Sequence, residues 1–179
     1  MRKTASLAHC FLAEVITADD VVVDATMGNG YDTEFLAKLC KNVIAFDVQE
    51  EAVAATQARL KASGSSATLI KDGHENVGSY VSTPVKAAIF NLGFLPGSDK
   101  RVITLPDTTV TALEKIMKLL VPRGRIAVTV YPGHGGGKAE SDAVVGLIGG
   151  LDESKWRVSV HQSEYPSDTS PYIICVEKL

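Results

Sequence analysis

The chain has 179 residues, of which 45% are hydrophobic and 22% are charged, and its net charge is −3. This composition is typical of a globular protein and argues against a large nonspecific nucleic-acid surface. No apolar run approaches the roughly 20 residues that a membrane span needs, and the length predicts a single domain over residues 1–179.

The first predicted element is an amphipathic helix over residues 4–17. Its apolar side chains recur at helical spacing and are expected to pack over a sheet. They are Leu7, Phe11, Leu12, Val15 and Ile16. His9 and Glu14 interrupt the apolar run, which is unlike a secretory signal peptide. We interpret His9 as an ordinary, partly exposed helix residue, with a place in a substrate pocket as the alternative.

Residues 21–39, VVVDATMGNGYDTEFLAKL, predict a strand, a glycine turn and a helix. Three valines ending at Asp24 are typical of a parallel strand that is covered on both faces. Gly28 and Gly30 let the backbone approach a ligand. The following helix, with Asp32 and Thr33 as predicted N-terminal caps, offers unpaired N–H groups. The pattern predicts a nucleotide site, and an ordinary tight turn is the alternative.

Three predicted parallel strands finish at an aspartate. The strands over 21–24 and 42–47 end with Asp24 and Asp47, and Asp72 directly follows the strand over 67–71. Ligands of open α/β sheets bind at the carboxyl ends of the strands, so the three acids predict one ligand site. A helix over residues 50–62 separates the second strand from the third.

Asp47 follows Gly30 by 17 residues. This is close to the spacing at which a carboxylate meets a nucleotide ribose and accepts hydrogen bonds from its hydroxyls. A helix cap at Asp47 is the alternative. The dinucleotide fingerprint G-x-G-x-x-G needs a third glycine, and this chain has Thr33 there, which argues against NAD.

The second half of the chain predicts a helix over residues 107–120, a helix through residues 143–148, and four strands. The strands cover residues 85–90, 125–131, 156–161 and 172–177. A loop joins the last two strands, which predicts an antiparallel hairpin. The whole pattern predicts an α/β fold with a seven-stranded, mostly parallel sheet and helices on both faces.

The loop YPGHGGGK, residues 131–138, holds too many glycines for regular structure, and we expect it to shape a ligand site at the strand ends. His134 is the candidate proton acceptor in this loop. Lys100, Arg101 and Lys138 are candidate phosphate contacts, with ordinary solvated side chains as the alternative.

The three cysteines, Cys10, Cys40 and Cys175, form no CxxC pair and each has apolar neighbours. We interpret them as reduced core thiols of a cytoplasmic protein rather than as a disulfide set or a zinc site. No metal site is predicted.

The order of Asp24, Thr26, Gly28 and Gly30 resembles the motif I loop of class I S-adenosylmethionine (SAM) methyltransferases, D/E-x-G-x-G-x-G, with Thr26 in place of the first glycine. The resemblance implies a Rossmann-like fold and SAM as cofactor. It places Asp24 near the methionine amine, Asp47 at the ribose and Asp72 beside the adenine. The implied cofactor residues are Asp24, Thr26, Gly28, Asn29, Gly30, Asp32, Thr33, Asp47, Val48, Asp72, Gly73, His74, Asn91 and Leu92.

The segment NLGFLPG, residues 91–97, resembles the (D/N/S)-P-P-(Y/F) loop of amino-directed methyltransferases. Asn91 and Phe94 match its first and fourth positions, whereas Leu92 and Gly93 replace the prolines. The resemblance implies that the Asn91 side chain and a following backbone carbonyl accept N–H bonds from the target amine, and that Phe94 stacks on the base. A strand-to-helix loop with a buried Phe94 is the alternative.

Together, DATMGNGYDT, the strand that ends at Asp47, DGHE, NLGFLPGSDK and YPGHGGGKAE closely resemble the small bacterial rRNA methylases of the YtqB type over nearly the whole chain. Members of that family are implicated as MnmM-type tRNA 5-aminomethyl-2-thiouridine methyltransferases. The resemblance implies an RNA N-methyltransferase whose partner is tRNA. Because the chain has little basic surface for RNA, a homodimer is a candidate assembly.

Several other functions stay open. An rRNA methyltransferase and a small-molecule amine methyltransferase would share the cofactor residues, and the acidic composition favours the small-molecule enzyme. A nucleotide-binding protein that uses NAD, or a catalytically silent scaffold, would leave the amine-type segment at Asn91 without an explanation.

Overall fold

The computed structural model describes residues 2–93, 95, 97, 102–163 and 166–179. Seven strands are present in them: Val21–Asp24 (β1), Asn42–Asp47 (β2), Thr68–Lys71 (β3), Val85–Asn91 (β4), Leu120–Val130 (β5), Trp156–Gln162 (β6) and Tyr172–Lys178 (β7). The helices of this part of the chain are Arg2–Ala13 (α1), Tyr31–Leu39 (α2), Glu50–Ser63 (α3), Val77–Tyr80 (α4), Pro106–Leu119 (α5) and Gly137–Gly149 (α6), and His74–Asn76 forms a 3-10 turn.

All seven strands lie in one sheet with the order β3-β2-β1-β4-β5-β7-β6. The first five strands pair in parallel, and β7 runs antiparallel to both β5 and β6. This confirms the predicted seven-stranded, Rossmann-like sheet with its antiparallel last hairpin. The strand order reverses between β1 and β4, and ligands of such sheets bind at this switch point, beyond the carboxyl ends of the strands.

Both faces of the sheet are covered, which explains the unbroken run of valines in β1. Consecutive side chains of a strand point to opposite faces. Val22 therefore packs in the layer that contains Leu12 of α1 and Leu36 of α2. Val23 packs in the opposite layer with α5 side chains such as Leu113.

Helix α1 is shorter than predicted, and Leu7 departs from the predicted face, whereas Phe11, Leu12 and Ile16 pack against the core as expected. It ends at Ala13, because the backbone N–H and hydroxyl of Thr17 both donate to the Asp20 carboxylate and form a separate turn. Leu7 is 45% exposed, whereas Ala8 is buried in its place. Cys10 is also exposed, so its prediction as a core thiol is wrong, while Cys40 and Cys175 are buried as expected.

The predicted caps of α2 are also wrong. The helix begins after Gly30, which has a φ of 78° and makes no side-chain capping bond. Asp32 and Thr33 instead lie in the first turn, and their side chains contact the residues described below. Among the described residues, no helix is long and apolar enough to cross a membrane.

Candidate active site

The glycine turn after β1 extends the sheet at the switch point. Ala25 N–H donates to the Ile89 carbonyl of β4 at 2.9 Å, and Met27 N–H donates to the Phe46 carbonyl of β2 at 2.9 Å. The turn is therefore held on both sides by the neighbouring strands. These bonds place Thr26 and Gly28 at the carboxyl ends of β1, β2 and β4.

Gly30 is required by close packing against α3. A Cβ atom at this position would lie 2.8 Å from Thr56 Cα, and the φ of 78° disfavours any L side chain. The Thr56 hydroxyl donates to the Gly28 carbonyl at 3.1 Å. The outer part of the turn is held by Arg59, whose Nε donates to the Asn29 carbonyl at 2.8 Å. These contacts with α3 stabilise the backbone conformation of the turn.

Asp24 lies at the bottom of this turn and is fully buried. One carboxylate oxygen accepts the Thr26 N–H at 3.1 Å and the other accepts the Thr33 hydroxyl at 2.6 Å. Burial, together with the nearby Asp32 carboxylate, raises the pKa of Asp24 to about 7. A cationic group brought next to Asp24 would favour its ionised form.

Asp47 closes the other side of the turn. Its carboxylate accepts the Gly28 N–H at 3.1 Å and the Gln49 N–H at 3.0 Å, and burial raises its pKa. The N-terminal cap of α3 is Gln49, so Asp47 orders the approach to the helix without being its cap. Each carboxylate oxygen still has acceptor capacity for a ligand hydroxyl. Val48 follows it and is 55% exposed at the same rim.

The residues after β3 form a second wall. The Asp72 carboxylate accepts hydrogen bonds from Gly73 N–H, the Asn76 amide and the Tyr80 hydroxyl, and these bonds lower its pKa. Asp72 therefore organises the segment 72–80, and its contact with an adenine stays a prediction. His74 is buried, its Nδ1 donates to the Ala25 carbonyl at 3.0 Å, and burial lowers its pKa.

Asn91, at the end of β4, is held by three groups. Its backbone N–H donates to the Thr26 hydroxyl at 2.7 Å. Its side-chain Nδ2 donates to Asp32 Oδ2 at 2.8 Å, and the Tyr131 hydroxyl donates to its Oδ1 at 3.1 Å. An ionised carboxylate only accepts hydrogen bonds, so Asp32 fixes which end of the amide faces it. Thr26, which stands where the related motif has glycine, thus joins the turn after β1 to the end of β4.

Helix α1 reaches the same cluster through His9. Its Nε2 lies 2.6 Å from Asp32 Oδ1, and its ring stacks on Phe35 with a centroid distance of 3.7 Å. Imidazole and amide therefore bind opposite oxygens of one largely buried carboxylate. His9 thus contacts the carboxylate that also binds the Asn91 amide, and its place in a substrate pocket stays a prediction.

The segment after Asn91 lies against the glycine-rich loop. Leu92 is buried, and its N–H donates to the Thr129 carbonyl at 3.0 Å. Gly93 has a φ of 125°, and a Cβ there would lie 3.3 Å from His134 Nε2. His134 Nδ1 donates to the Gly135 carbonyl at 2.9 Å. The structure thus places His134 next to the segment that follows Asn91, and its role as a proton acceptor stays a prediction.

Three candidate contact residues lie outside the described residues: Phe94, the predicted stacking residue, and Lys100 and Arg101, two candidate phosphate contacts. Lys138 is exposed, and its ammonium group is 2.6 Å from a carboxylate oxygen of Asp142, one turn further along α6.

Sequence reasoning missed Tyr131 as an Asn91 partner and His9 as an Asp32 partner. These pairs are 40 and 23 residues apart. No local spacing signals them, because both arise from elements that meet only in the folded sheet.

The family model described as "Putative rRNA methylase" matches residues 43–177. The chain belongs to this family. This membership confirms the resemblance to the rRNA methylases of the YtqB type.

Solved structures of similar proteins agree with this family of rRNA methylases. A putative rRNA-methylase from Clostridium thermocellum is 38% identical, with a TM-score of 0.95 and a match that covers 100% of this chain and 99% of that one. SMU.1697c, a putative methyltransferase from Streptococcus mutans in complex with SAH, is 42% identical with a TM-score of 0.92, and the match covers 100% of this chain and 99% of that one.

A curated relative is longer than this member of the family. The chloroplastic tRNA (mnm5s2U34)-methyltransferase of Arabidopsis thaliana is 37% identical over 170 residues. The match covers 87% of this chain and 62% of the plant protein, so the chain spans about three fifths of its length.

Proposed function

We propose that the protein is a SAM-dependent RNA N-methyltransferase that methylates the aminomethyl nitrogen of 5-aminomethyl-2-thiouridine at the tRNA wobble position. The observation that carries this proposal is the Asn91 amide, which is fixed between Asp32 and Tyr131 at the switch point of the sheet. Family membership, the SAH complex of the Streptococcus mutans relative and the activity of the plant relative support it.

The turn after β1 fits SAM by the chemistry of its donors and acceptors. Asp24 would hold the methionine ammonium group, because a cation favours ionisation of a carboxyl whose pKa is about 7. Asp47 would accept from the ribose hydroxyls, and His74 with Gly73 would border the adenine. When bound, SAM supplies an electrophilic methyl group.

Asn91 would orient the nucleophile. Its Oδ1 accepts one hydrogen bond from Tyr131 and keeps a second lone pair for an N–H of the target amine. Because Asp32 prevents the amide from turning over, an acceptor and not a donor faces the amine. Orientation of this kind contributes several kcal/mol to a transfer reaction, at about 1.4 kcal/mol for each tenfold in rate.

The target amine must lose a proton before it attacks. An alkylamine with a pKa near 10 is neutral about 0.1% of the time at pH 7, which costs roughly 4 kcal/mol. We propose His134 as the proton acceptor. Its Nδ1 donates to the Gly135 carbonyl, so in the neutral imidazole the basic nitrogen is Nε2, on the side of Gly93.

The assembly and location of the protein belong to the same proposal. All seven strands join one sheet, which supports a single domain over residues 1–179. We also propose a homodimer, in which the basic residues of a second subunit extend the RNA-binding surface of a chain whose net charge is −3. We propose a cytoplasmic location on the basis of the unpaired cysteines.

A direct test is methyl transfer from labelled SAM to total tRNA, total rRNA and a metabolite extract. Asp47→Ala and Asn91→Ala are compared with the parent, and Asn42→Ala is the matched control, because Asn42 is exposed and its amide bonds only the Asp19 carbonyl among the contacts described. We expect label in tRNA, lost in both site variants and retained in the control, and a methyl group on the aminomethyl nitrogen by nucleoside mass analysis.

The other outcomes distinguish the alternatives. Label only in rRNA would replace the tRNA assignment. Label only in metabolites would support the small-molecule amine methyltransferase, and SAM binding without any transfer would support the silent scaffold.

A further inference from the structure

Glu140 is a buried carboxylate that has no role in the proposal above. It lies between residues 91–93, called the substrate segment below, and the glycine turn of residues 25–30, called the cofactor turn. Glu140, in the first turns of α6, is 1% exposed. Its Oε2 accepts the Thr104 hydroxyl at 2.8 Å, and its Oε1 accepts the Thr109 hydroxyl at 2.7 Å. A carboxylate in such surroundings is costly unless its partners satisfy it, so the two threonines are part of one unit with Glu140.

The Thr104 branch leads to the substrate segment. Gly93 N–H donates to the Thr104 hydroxyl at 2.8 Å, and Thr104 N–H donates back to the Gly93 carbonyl at 2.8 Å. The single hydroxyl hydrogen of Thr104 is therefore free to donate only to Glu140. This reciprocal pair fixes the backbone two residues after Asn91, next to His134.

The Thr109 branch leads to the cofactor turn. Thr109 Oγ1 lies 3.5 Å from His74 Nε2, and His74 Nδ1 donates to the Ala25 carbonyl directly before Thr26. Thr109 Oγ1 therefore contacts both Glu140 and His74, and this series of contacts runs from Glu140 to the residue before Thr26.

We propose that Glu140 is a positioning residue that holds the substrate segment through Thr104 and links it through Thr109 and His74 to the cofactor turn. Occupation of the cofactor site then orders the segment that carries Asn91. This inference rests on the proposed methyl transfer for its kinetic consequence, but the link between the two loops can be measured without a methyl acceptor.

The kinetic test uses Thr104→Val, Glu140→Leu and Glu140→Gln, with Ser141→Ala as control. Ser141 is the next residue of α6, and its buried hydroxyl bonds only Tyr172 among the contacts described. Thr104→Val and Glu140→Leu should lower kcat by about tenfold or more and leave the affinity for SAH within about twofold. Gln can accept from Thr104 and donate to Thr109, so Glu140→Gln should restore most of kcat.

The link between the loops is tested by amide hydrogen exchange with and without SAH. We expect SAH to protect the amides of Gly93 and Thr104 in the parent and in Ser141→Ala. In Thr109→Val, which still contains the Thr104 branch, this protection should be lost although SAH binds. Unfolding by urea in parallel excludes variants that do not fold, and Thr104→Val carries the kinetic test if Glu140→Leu fails to fold.

The outcomes separate this inference from the proposed function. Unchanged kcat in Thr104→Val, or SAH protection that persists in Thr109→Val, overturns the role of Glu140 while the methyltransferase stands. Absence of methyl transfer by the parent, with SAH-dependent protection that needs Thr109, overturns the proposed substrate and supports the link. Failure of the parent to bind SAH overturns both.

Discussion

Asp24 is an acidic residue whose carboxyl group is fully buried at the end of a central strand. It ends a buried parallel strand, and the packing that makes β1 a central strand also excludes water from its carboxyl group. Burial and Asp32 raise its pKa from 3.8 to about 7. The folded protein therefore binds this proton more tightly than the unfolded chain does, and the apo protein loses stability as the carboxyl ionises.

The pH dependence of stability follows from this shift. The contribution of Asp24 is complete below about pH 4 and disappears as the pH rises through about 7, an effect on the order of 4 kcal/mol. We expect Asp24→Asn to remove this slope, so that the variant gains stability relative to the parent as the pH rises. Urea unfolding without cofactor at pH 5, 6, 7 and 8 measures it. Asp19→Asn, an exposed acid, is the control, and parallel curves for Asp24→Asn and the parent would contradict the assignment.

Gly30 supports a second prediction for a single residue. Gly30→Ala places a methyl group 2.8 Å from Thr56 Cα at a φ of 78°. The left-handed conformation alone costs about 1–2 kcal/mol for an L residue, and the displacement of α3 adds to it. We expect a lower free energy of unfolding and a loss of SAH affinity. Gly64→Ala is the matched control, because Gly64 also has positive φ, at 68°, but no atom lies within 4 Å of the added methyl. Equal losses in the two variants would show that the contact with α3 is unimportant.

Helix α1 is the element that couples the N-terminal part of the chain to the site. Arg125 Nη1 of β5 donates to the Phe11 carbonyl at 2.6 Å, and its guanidinium lies over the Phe11 ring. These contacts hold the helix against the sheet while His9 reaches Asp32. The helix thus contacts the carboxylate that also binds Asn91, in addition to covering the core.

Replacement of His9 tests this role of α1. In His9→Ala, the Asp32 carboxylate loses one of its two partners and the Asn91 amide loses part of its restraint. We expect kcat for methyl transfer to fall about tenfold with little change in SAH affinity, as for a group that acts on orientation. Leu7→Ala, on the exposed side of the same helix, should behave as the parent. Unchanged kcat in His9→Ala would mean that Asn91 is held well enough by Tyr131 and Thr26.

For the whole molecule, the proposed binding of RNA must overcome a net charge of −3. We expect basic residues to supply the attraction for phosphate groups, and one candidate, Lys138, is paired with Asp142 on the exposed face of α6. A phosphate group that binds Lys138 must displace the Asp142 carboxylate, and this competition weakens the phosphate contact. Because the Lys138–Asp142 pair is exposed, its loss costs the fold little stability.

Charge changes test the RNA surface. Reversal of Lys100, Arg101 and Lys138 should weaken tRNA binding and lower the slope of log affinity against log salt by about 0.7–0.9 for each phosphate that is no longer neutralised. Asp142→Asn should strengthen binding, because Lys138 is released from its partner. Lys155→Glu, an exposed lysine paired with Asp152, is the control. Unchanged affinity at fixed salt after the triple reversal would place the RNA elsewhere.

The amino-acid sequence alone predicts the sheet and the convergence of Asp24 and Asp47. Strands β1 and β2 have the predicted bounds, residues 21–24 and 42–47. They could be predicted because strands that are covered on both faces have continuous apolar sequences. Parallel pairing then brings Asp24 and Asp47 to one edge with no further information. The turn between them could also be predicted, because Gly28 and Gly30 adopt positive φ, which few other residues tolerate.

Which side chains contact one another follows from the folded structure and not from local sequence patterns. The face of α1, the partners of Asp32 and the amide orientation of Asn91 depend on elements brought together from different parts of the chain. Glu140 gives no signal in the sequence, because its threonine partners are 36 and 31 residues away. Hydrogen bonds are short and directional, so they are settled by the final packing of side chains rather than by the spacing of residues along an element.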